Sequence, residues 1–107
     1  MRVMVCDDEK LARDRLVRLV SDLDGMAVVA EASNGREALT QAQESRPDVV
    51  LMDIRMPDMD GIEAAENLLK SETPPAVIFC TAYDEHALQA FKAVSYTHLT
   101  LPTIYSV

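Results

Sequence analysis

Short apolar runs alternate along the chain with segments of helical period. Four largely apolar runs have the length of buried strands: VMVC at 3–6, MAVVA at 26–30, DVVLM at 48–52 and AVIFC at 76–80. In the segment after each run, apolar residues recur at helical spacing. Strands that are apolar on both faces and joined by helices indicate a parallel sheet covered on both sides. The predicted order is βαβαβαβα, an α/β fold with an open, doubly wound sheet.

The predicted helices combine apolar stripes with polar start signals. Asn34 can cap the second helix and Asp60 the third, and each is followed three residues later by a glutamate, Glu37 or Glu63. The four stripes consist of Leu16, Leu19, Val20 and Leu23; of Ala38, Leu39 and Ala42; of Ile62, Ala65 and Leu69; and of Ala87, Ala90, Phe91 and Val94. This periodicity predicts that each helix packs one face on the sheet.

The length and charge of the chain limit the number of domains and the classes of binding partner that can be expected. At 107 residues it is long enough for one domain. Eighteen acids against ten lysines and arginines give a net charge of -8, which argues against a direct grip on nucleic acid or on an anionic membrane surface. No apolar run approaches a membrane span, and the first ten residues lack the features of a secretory signal. We therefore expect a cytoplasmic protein.

Three aspartates follow two of the predicted strands. Asp7 and Asp8 come directly after the first strand, and Asp53 follows the third. In open α/β sheets the functional crevice lies at the carboxyl ends of the strands, where the strand order reverses. In the order 2-1-3-4-5, strands one and three are neighbours about 5 Å apart. The three carboxylates would then meet in one cleft.

Such a cluster of acids needs a cation or protons to relieve its repulsion. Its donors are all oxygens, which favours Mg²⁺ over zinc. A carboxylate beside Mg²⁺ can also attack phosphorus and form an aspartyl phosphate. The alternative is that Asp7, Asp8 and Glu9 only favour the start of the first helix through its dipole. We prefer that explanation for Glu9, whereas Asp53 on the neighbouring strand weakens it for the pair.

The motifs together resemble a known family. The stretches VMVCDDE, VVLMDIRMPDMDG and VIFCTAYDE are similar to the receiver domain of two-component response regulators, and FCTAYDEHALQAF resembles receivers that precede a LytTR-type DNA-binding domain. The resemblance covers residues 1–94, which we take as a truncated receiver domain. It implies a flavodoxin-like sheet of order 2-1-3-4-5 and Mg²⁺-dependent phosphoryl transfer from a sensor histidine kinase.

The resemblance also implies a role for individual residues. Asp53 would be the phosphoacceptor and Asp8 a direct Mg²⁺ ligand, while Asp7 would hold the metal through water. Arg55 would contribute its backbone carbonyl to the metal. Thr81 would be the switch hydroxyl that hydrogen-bonds the phosphoryl group, although a β-branched residue at a strand end is its ordinary alternative. The same family suggests a homodimer through the face formed by helix four and strand five.

Two alternative functions are less favoured. A haloacid-dehalogenase-like phosphatase would need a second aspartate two residues after the first, where this chain has Arg55, so we expect no enzyme beyond weak self-dephosphorylation. A non-switching, degenerate receiver that serves as a protein-interaction domain is the alternative function.

The tail SYTHLTLPTIYSV, residues 95–107, departs from the receiver pattern. It contains no acid, lysine or arginine. Counting from Phe91, the resemblance puts His98 at the aromatic switch and Leu101 at the position of the family's lysine. Alternation at 96–101 predicts a fifth strand, after which the last helix is missing. Either the chain is a natural degenerate receiver, or the tail comes from foreign or misread DNA. We favour the second, because charge and motif disappear at the same place.

The two cysteines, Cys6 and Cys80, end the first and fourth predicted strands. With strand three between them, they lie about two sheet spacings apart, which exceeds the reach of a disulfide. We expect both to be reduced and to act as apolar filler.

Overall fold

A parallel five-stranded sheet forms the centre of the molecule in a computed structural model that describes residues 1–80 and 104–106. The strands are β1 (Arg2–Cys6), β2 (Ala27–Ala32), β3 (Val49–Met52), β4 (Ala76–Phe79) and β5 (Ile104–Ser106). Their order is β2-β1-β3-β4-β5, and every neighbouring pair is parallel. This confirms the predicted flavodoxin-like order and places β1 beside β3.

The described helices are α1 (Lys10–Ser21), α2 (Gly35–Ser45) and α3 (Gly61–Leu68). The predicted caps form in α2 and α3: the Asn34 side chain accepts from the Glu37 N–H at 2.8 Å, and Asp60 accepts from the Glu63 N–H at 2.8 Å. Each bond satisfies one of the amide groups that a helix start leaves without an intrahelical partner. None of the described helices is long and apolar enough to cross a membrane.

The core consists of two groups of side chains. The larger joins β1, β3 and β4 to α2 and α3, and it includes the predicted stripes of those two helices. The smaller group packs α1 on the sheet through Val3, Val5 and Val20. Val3 and Val5 are 3% and 0% exposed on this face, and Met4 and Cys6 are fully buried in the larger group on the other, so β1 is covered on both faces, as its continuous apolar run predicted.

The stripe predicted for α1 is partly wrong. Leu16 and Val20 pack on the sheet, but the exposed fractions of Leu19 and Leu23 are 56% and 55%, and Val17 joins the packed face instead. Helical spacing fits both choices, because 16, 17 and 20 lie as close together on a helix as 16, 19 and 20. Leu23 also lies beyond the end of the helix, which Asp22 terminates.

Several predictions fall on residues 81–103, outside the described part of the chain. These are the fourth helix, the boundary at residue 94, the fifth strand at 96–101, and the side chains of His98 and Leu101. The strand that pairs with β4 is Ile104–Ser106 and therefore lies later in the chain than the predicted one.

Candidate functional site

The carboxyl ends of β1 and β3 bring the three predicted aspartates together. One carboxylate oxygen of each of Asp7, Asp8 and Asp53 lies within 4.8 Å of the others. Two backbone hydrogen bonds set this arrangement: the Asp53 N–H donates to the Cys6 carbonyl at 2.9 Å, and the Asp7 N–H donates to the Ala32 carbonyl at 3.0 Å. The parallel pairing of β1 with β2 and β3 thus fixes where each acid leaves the sheet.

Exposure differs among the three acids. Asp7 is 6% exposed, Asp53 is half-buried and Asp8 is exposed. One oxygen of Asp7 accepts from the Glu9 N–H at 2.9 Å, and Asp53 accepts from the Arg55 N–H at 3.2 Å. The cluster is therefore anchored at the buried Asp7 and open to solvent on the side of Asp8 and Asp53.

The start of α1 does not by itself account for the cluster. Glu9 occupies the N-cap position, as we had expected, but its side chain makes no capping hydrogen bond. Asp7 instead satisfies the Glu9 N–H with one oxygen. Asp53 follows β3 and has no part in that helix start, so the convergence of three acids needs another explanation.

The segment after Asp53 folds back against the strand that carries it. The Gly61 N–H donates to the Ile54 carbonyl at 2.8 Å. A Cβ on Gly61 would lie 2.9 Å from both the Asp53 carbonyl carbon and the Ile54 α-carbon, and still closer to the Asp53 carbonyl oxygen. Only glycine permits this approach of two backbones. Asp58, within the same loop, has a left-handed φ of 68°, which aspartate tolerates better than most residues.

The loop that starts α2 supports the loop after Asp53. The Gly35 N–H donates to the Met59 carbonyl at 3.2 Å. A Cβ on Gly35 would lie 2.8 Å from the Met59 Cβ and closer to its carbonyl oxygen. No sequence motif predicts this contact; its only signal is a glycine directly after the helix cap Asn34.

Both cysteines are free, as predicted. Burial raises the pKa of the Cys80 thiol to about 11, with a further contribution from the negative charges of Asp53 and Asp7. Burial likewise raises the pKa of Cys6 to about 12, and Glu37 and Asp7 add to the shift. Both thiols stay protonated at neutral pH, so neither is a competing nucleophile beside the acids.

The structure describes only one of the two remaining predicted site residues. Arg55 follows Asp53 by two residues, and its N–H contacts that carboxylate, which keeps its backbone beside the cluster. Thr81 lies outside the described residues. The preceding residue, Cys80, donates its N–H to the Met52 carbonyl at 2.9 Å, so the described end of β4 lies beside the end of β3.

The donor set fits Mg²⁺. All three groups are carboxylates, the ligands that this ion prefers. With Mg–O distances of about 2.1 Å, ligand oxygens of an octahedral site lie about 3.0–4.2 Å apart. The three carboxylate oxygens lie within 4.8 Å of one another, close enough for one hydrated cation to lie between them. Two full charges at that separation repel by roughly 3 kcal/mol at an effective dielectric of 20, so a bound cation would relieve a real cost.

Comparison with known proteins places this site in a family. Residues 3–102 match the family described as the response regulator receiver domain. The chain is 54% identical over 103 residues to the positive alginate biosynthesis regulatory protein of Pseudomonas aeruginosa, an alignment that covers 95% of this chain and 42% of that protein. It is 41% identical over 102 residues to the sensory transduction protein LytT of Bacillus cereus, with the same two coverages.

Solved structures show the same fold. The response regulator domain of Thermotoga maritima CheB superposes with a TM-score of 0.80 at 30% identity, over 98% of this chain and 75% of that one. The response regulatory domain of mrkE from Klebsiella pneumoniae gives a TM-score of 0.80 at 29% identity, over 100% and 82%. The chain therefore spans most of a solved receiver domain but only about two fifths of its curated relatives.

Proposed function

The chain belongs to the response regulator receiver domain family, and from that premise we propose that it is a phosphoacceptor domain that takes a phosphoryl group from a sensor histidine kinase onto Asp53. The observation that carries this proposal is the convergence of Asp7, Asp8 and Asp53 at the ends of β1 and β3. Asp53 is the half-buried acid of this cluster, and the negative charges of its two neighbours oppose the approach of a phosphoryl group. Asp53 can receive that group only where a cation offsets these charges.

The chemistry assigns a separate task to each acid. A carboxylate oxygen of Asp53 attacks the phosphorus of a phosphohistidine, a P–O bond forms, the P–N bond breaks, and the imidazole leaves with a proton. Asp8 and Asp53 would bind Mg²⁺ directly, Asp7 through water and Arg55 through its backbone carbonyl. When bound, Mg²⁺ neutralises charge on the phosphoryl oxygens. The Arg55 N–H donates to Asp53 and so orients this carboxylate.

The response to phosphorylation is assigned to residues that follow β4 in the chain. In this proposal the Thr81 hydroxyl hydrogen-bonds the phosphoryl group, and the change passes to helix four and to a homodimer formed through helix four and strand five. A local charge that biases a two-state element is the general form of such switches. The domain would act in the cytoplasm, and its aspartyl phosphate would be lost only by slow self-hydrolysis. DNA would be bound by a LytTR-type output domain.

Phosphorylation of the purified chain tests the proposal. Incubation with acetyl phosphate and Mg²⁺, followed by intact-mass spectrometry, should give an adduct of one phosphoryl group. The adduct should be absent in Asp53→Asn, which lacks the attacking carboxylate, and much reduced in Asp8→Asn, which lacks a proposed Mg²⁺ ligand. Chelation of Mg²⁺ by EDTA should also prevent it, because the uncompensated acids repel the donor.

Asp58→Asn is the matched control. It makes the same acid-to-amide change on an exposed residue of the same loop, and asparagine also tolerates the left-handed φ. This variant should be phosphorylated like the wild type. If the wild type takes up no phosphoryl group at any Mg²⁺ concentration while it is folded, the interaction-domain alternative replaces the proposal.

A further inference from the structure

The loop that carries Asp7 and Asp8 is held by a charged side chain from α1. Arg13 donates from Nη1 to the Asp7 carbonyl oxygen at 2.8 Å and from Nε to Glu31 at 3.3 Å. Its side chain is only 17% exposed, against 76% for Lys10 one turn earlier on the same helix. Arginine is seldom buried to this extent unless it is paired, so its two contacts explain its position.

The contact lies where β1 leaves the sheet. The Asp7 N–H is still bonded to Ala32 of β2, whereas the Asp7 carbonyl points to Arg13. This carbonyl and the Asp8 N–H belong to one planar peptide unit. A donor that fixes the Asp7 carbonyl oxygen therefore also fixes the peptide plane that contains the Asp8 α-carbon. This orients the backbone from which the Asp8 side chain projects.

Glu31 gives the guanidinium its orientation. It lies on β2, so Arg13 connects α1, the loop after β1 and the neighbouring strand. The side chain of Glu31 is 46% exposed, and an ion pair this open contributes little to stability by itself. The fixed fork of arginine allows one nitrogen to meet Glu31 while another meets Asp7, which the single ammonium of lysine does less well.

We propose that Arg13 is a positioning residue for the phosphoacceptor site, and that with Glu31 it holds the Asp7–Asp8 peptide in the orientation that lets Asp8 bind Mg²⁺. The inference rests on the proposed function, because it assigns Mg²⁺ to this cluster. Arg13 would not touch the metal or the phosphoryl group. Its effect would pass through one carbonyl, in the way that partners of metal ligands orient those ligands in other proteins.

Titration of Mg²⁺ into ¹⁵N-labelled protein, followed by amide NMR, tests this without a phosphodonor and also reports whether each variant is folded. Arg13→Gln should raise the Mg²⁺ dissociation constant about tenfold, the lower end of the effect of such supporting contacts. Arg13→Lys should recover part of the affinity, and Glu31→Gln should weaken binding in the same direction but less. Lys10→Gln, which removes the exposed Lys10–Asp14 pair from the same helix, should leave the constant unchanged.

A folded Arg13→Gln protein with the wild-type dissociation constant would overturn the proposal. If that variant does not fold, Arg13→Lys and Glu31→Gln provide the test. Wild-type Mg²⁺ affinity in both of them would also overturn the proposal. A wild type that binds Mg²⁺ but accepts no phosphoryl group from acetyl phosphate would refute the proposed function and leave the Arg13 comparison valid. A wild type that binds no Mg²⁺ would refute both.

Discussion

Replacement of Gly61 by alanine should destabilise the chain, although helix propensity alone predicts the opposite. Gly61 is the first residue of α3, and alanine is favoured over glycine within helices by about 1 kcal/mol. The added Cβ would lie 2.9 Å from two backbone atoms of Asp53 and Ile54 and closer still to a third. Backbone cannot rotate away as a side chain can, and overpacking of this kind costs about 1–3 kcal/mol. We expect a net loss of about 0.5–2.5 kcal/mol, the overpacking cost less about half of the propensity gain.

Urea denaturation followed by circular dichroism measures this loss, and phosphorylation by acetyl phosphate shows its effect on the site. Because the clash falls on the backbone of Asp53, Gly61→Ala should also be phosphorylated more slowly than the wild type at saturating Mg²⁺. Gly25→Ala is the control: Gly25 has a φ of 78° with no atom near its absent Cβ, so this change should cost about 1 kcal/mol of stability and leave phosphorylation unchanged. A Gly61→Ala protein as stable as the wild type would refute the clash argument.

Three further changes test other parts of the fold. Asp60→Ala removes the cap on the Glu63 N–H and should lower the free energy of unfolding by about 1 kcal/mol in urea, whereas Asp60→Asn should retain most of it; equal losses would contradict the capping role. Met52→Ala opens a cavity at a fully buried position of β3 and should cost about 2–5 kcal/mol in the same assay, so a loss below that range would mean that the core closes around the gap. The hydrogen bond from Lys10 holds the pKa of Asp14 below its ordinary 3.8, so the pair stabilises the fold above that pH and this contribution is lost as the pH falls. An NMR titration should therefore give a higher Asp14 midpoint in Lys10→Gln than in the wild type. Identical midpoints would show that the pair does not form in solution.

The acid cluster could be predicted because its position depends on local pattern and topology together. Asp7, Asp8 and Asp53 each follow an apolar run, and one assumption about strand order was enough to bring them together. The caps at Asn34 and Asp60 are local signals and formed as predicted.

Contacts that depend on a distant backbone atom could not be predicted in this way. Arg13 reaches the Asp7 carbonyl, and Gly35 meets Met59, through the packing of loops that carry no sequence pattern of their own. The face of α1 was misjudged for a related reason: helical period defines a stripe, but the position of the sheet decides whether Val17 or Leu19 is covered. The position of an edge strand is an equally weak signal, since the segment described as pairing with β4, Ile104–Ser106, lies later in the chain than the alternation indicated.

The place of β1 in the sheet has a consequence for biosynthesis. Among the described strands β1 leaves the ribosome first, yet it needs partners on both sides, and its pairing with β3 joins Cys6 to Met52. At about 5–20 residues per second, roughly 2–9 s of translation separate these two residues. During that interval the apolar edge of β1 that later meets β3 has no partner from its own chain. The nascent polypeptide is then open to wrong pairings, and the acids that must later meet across β1 and β3 are still apart.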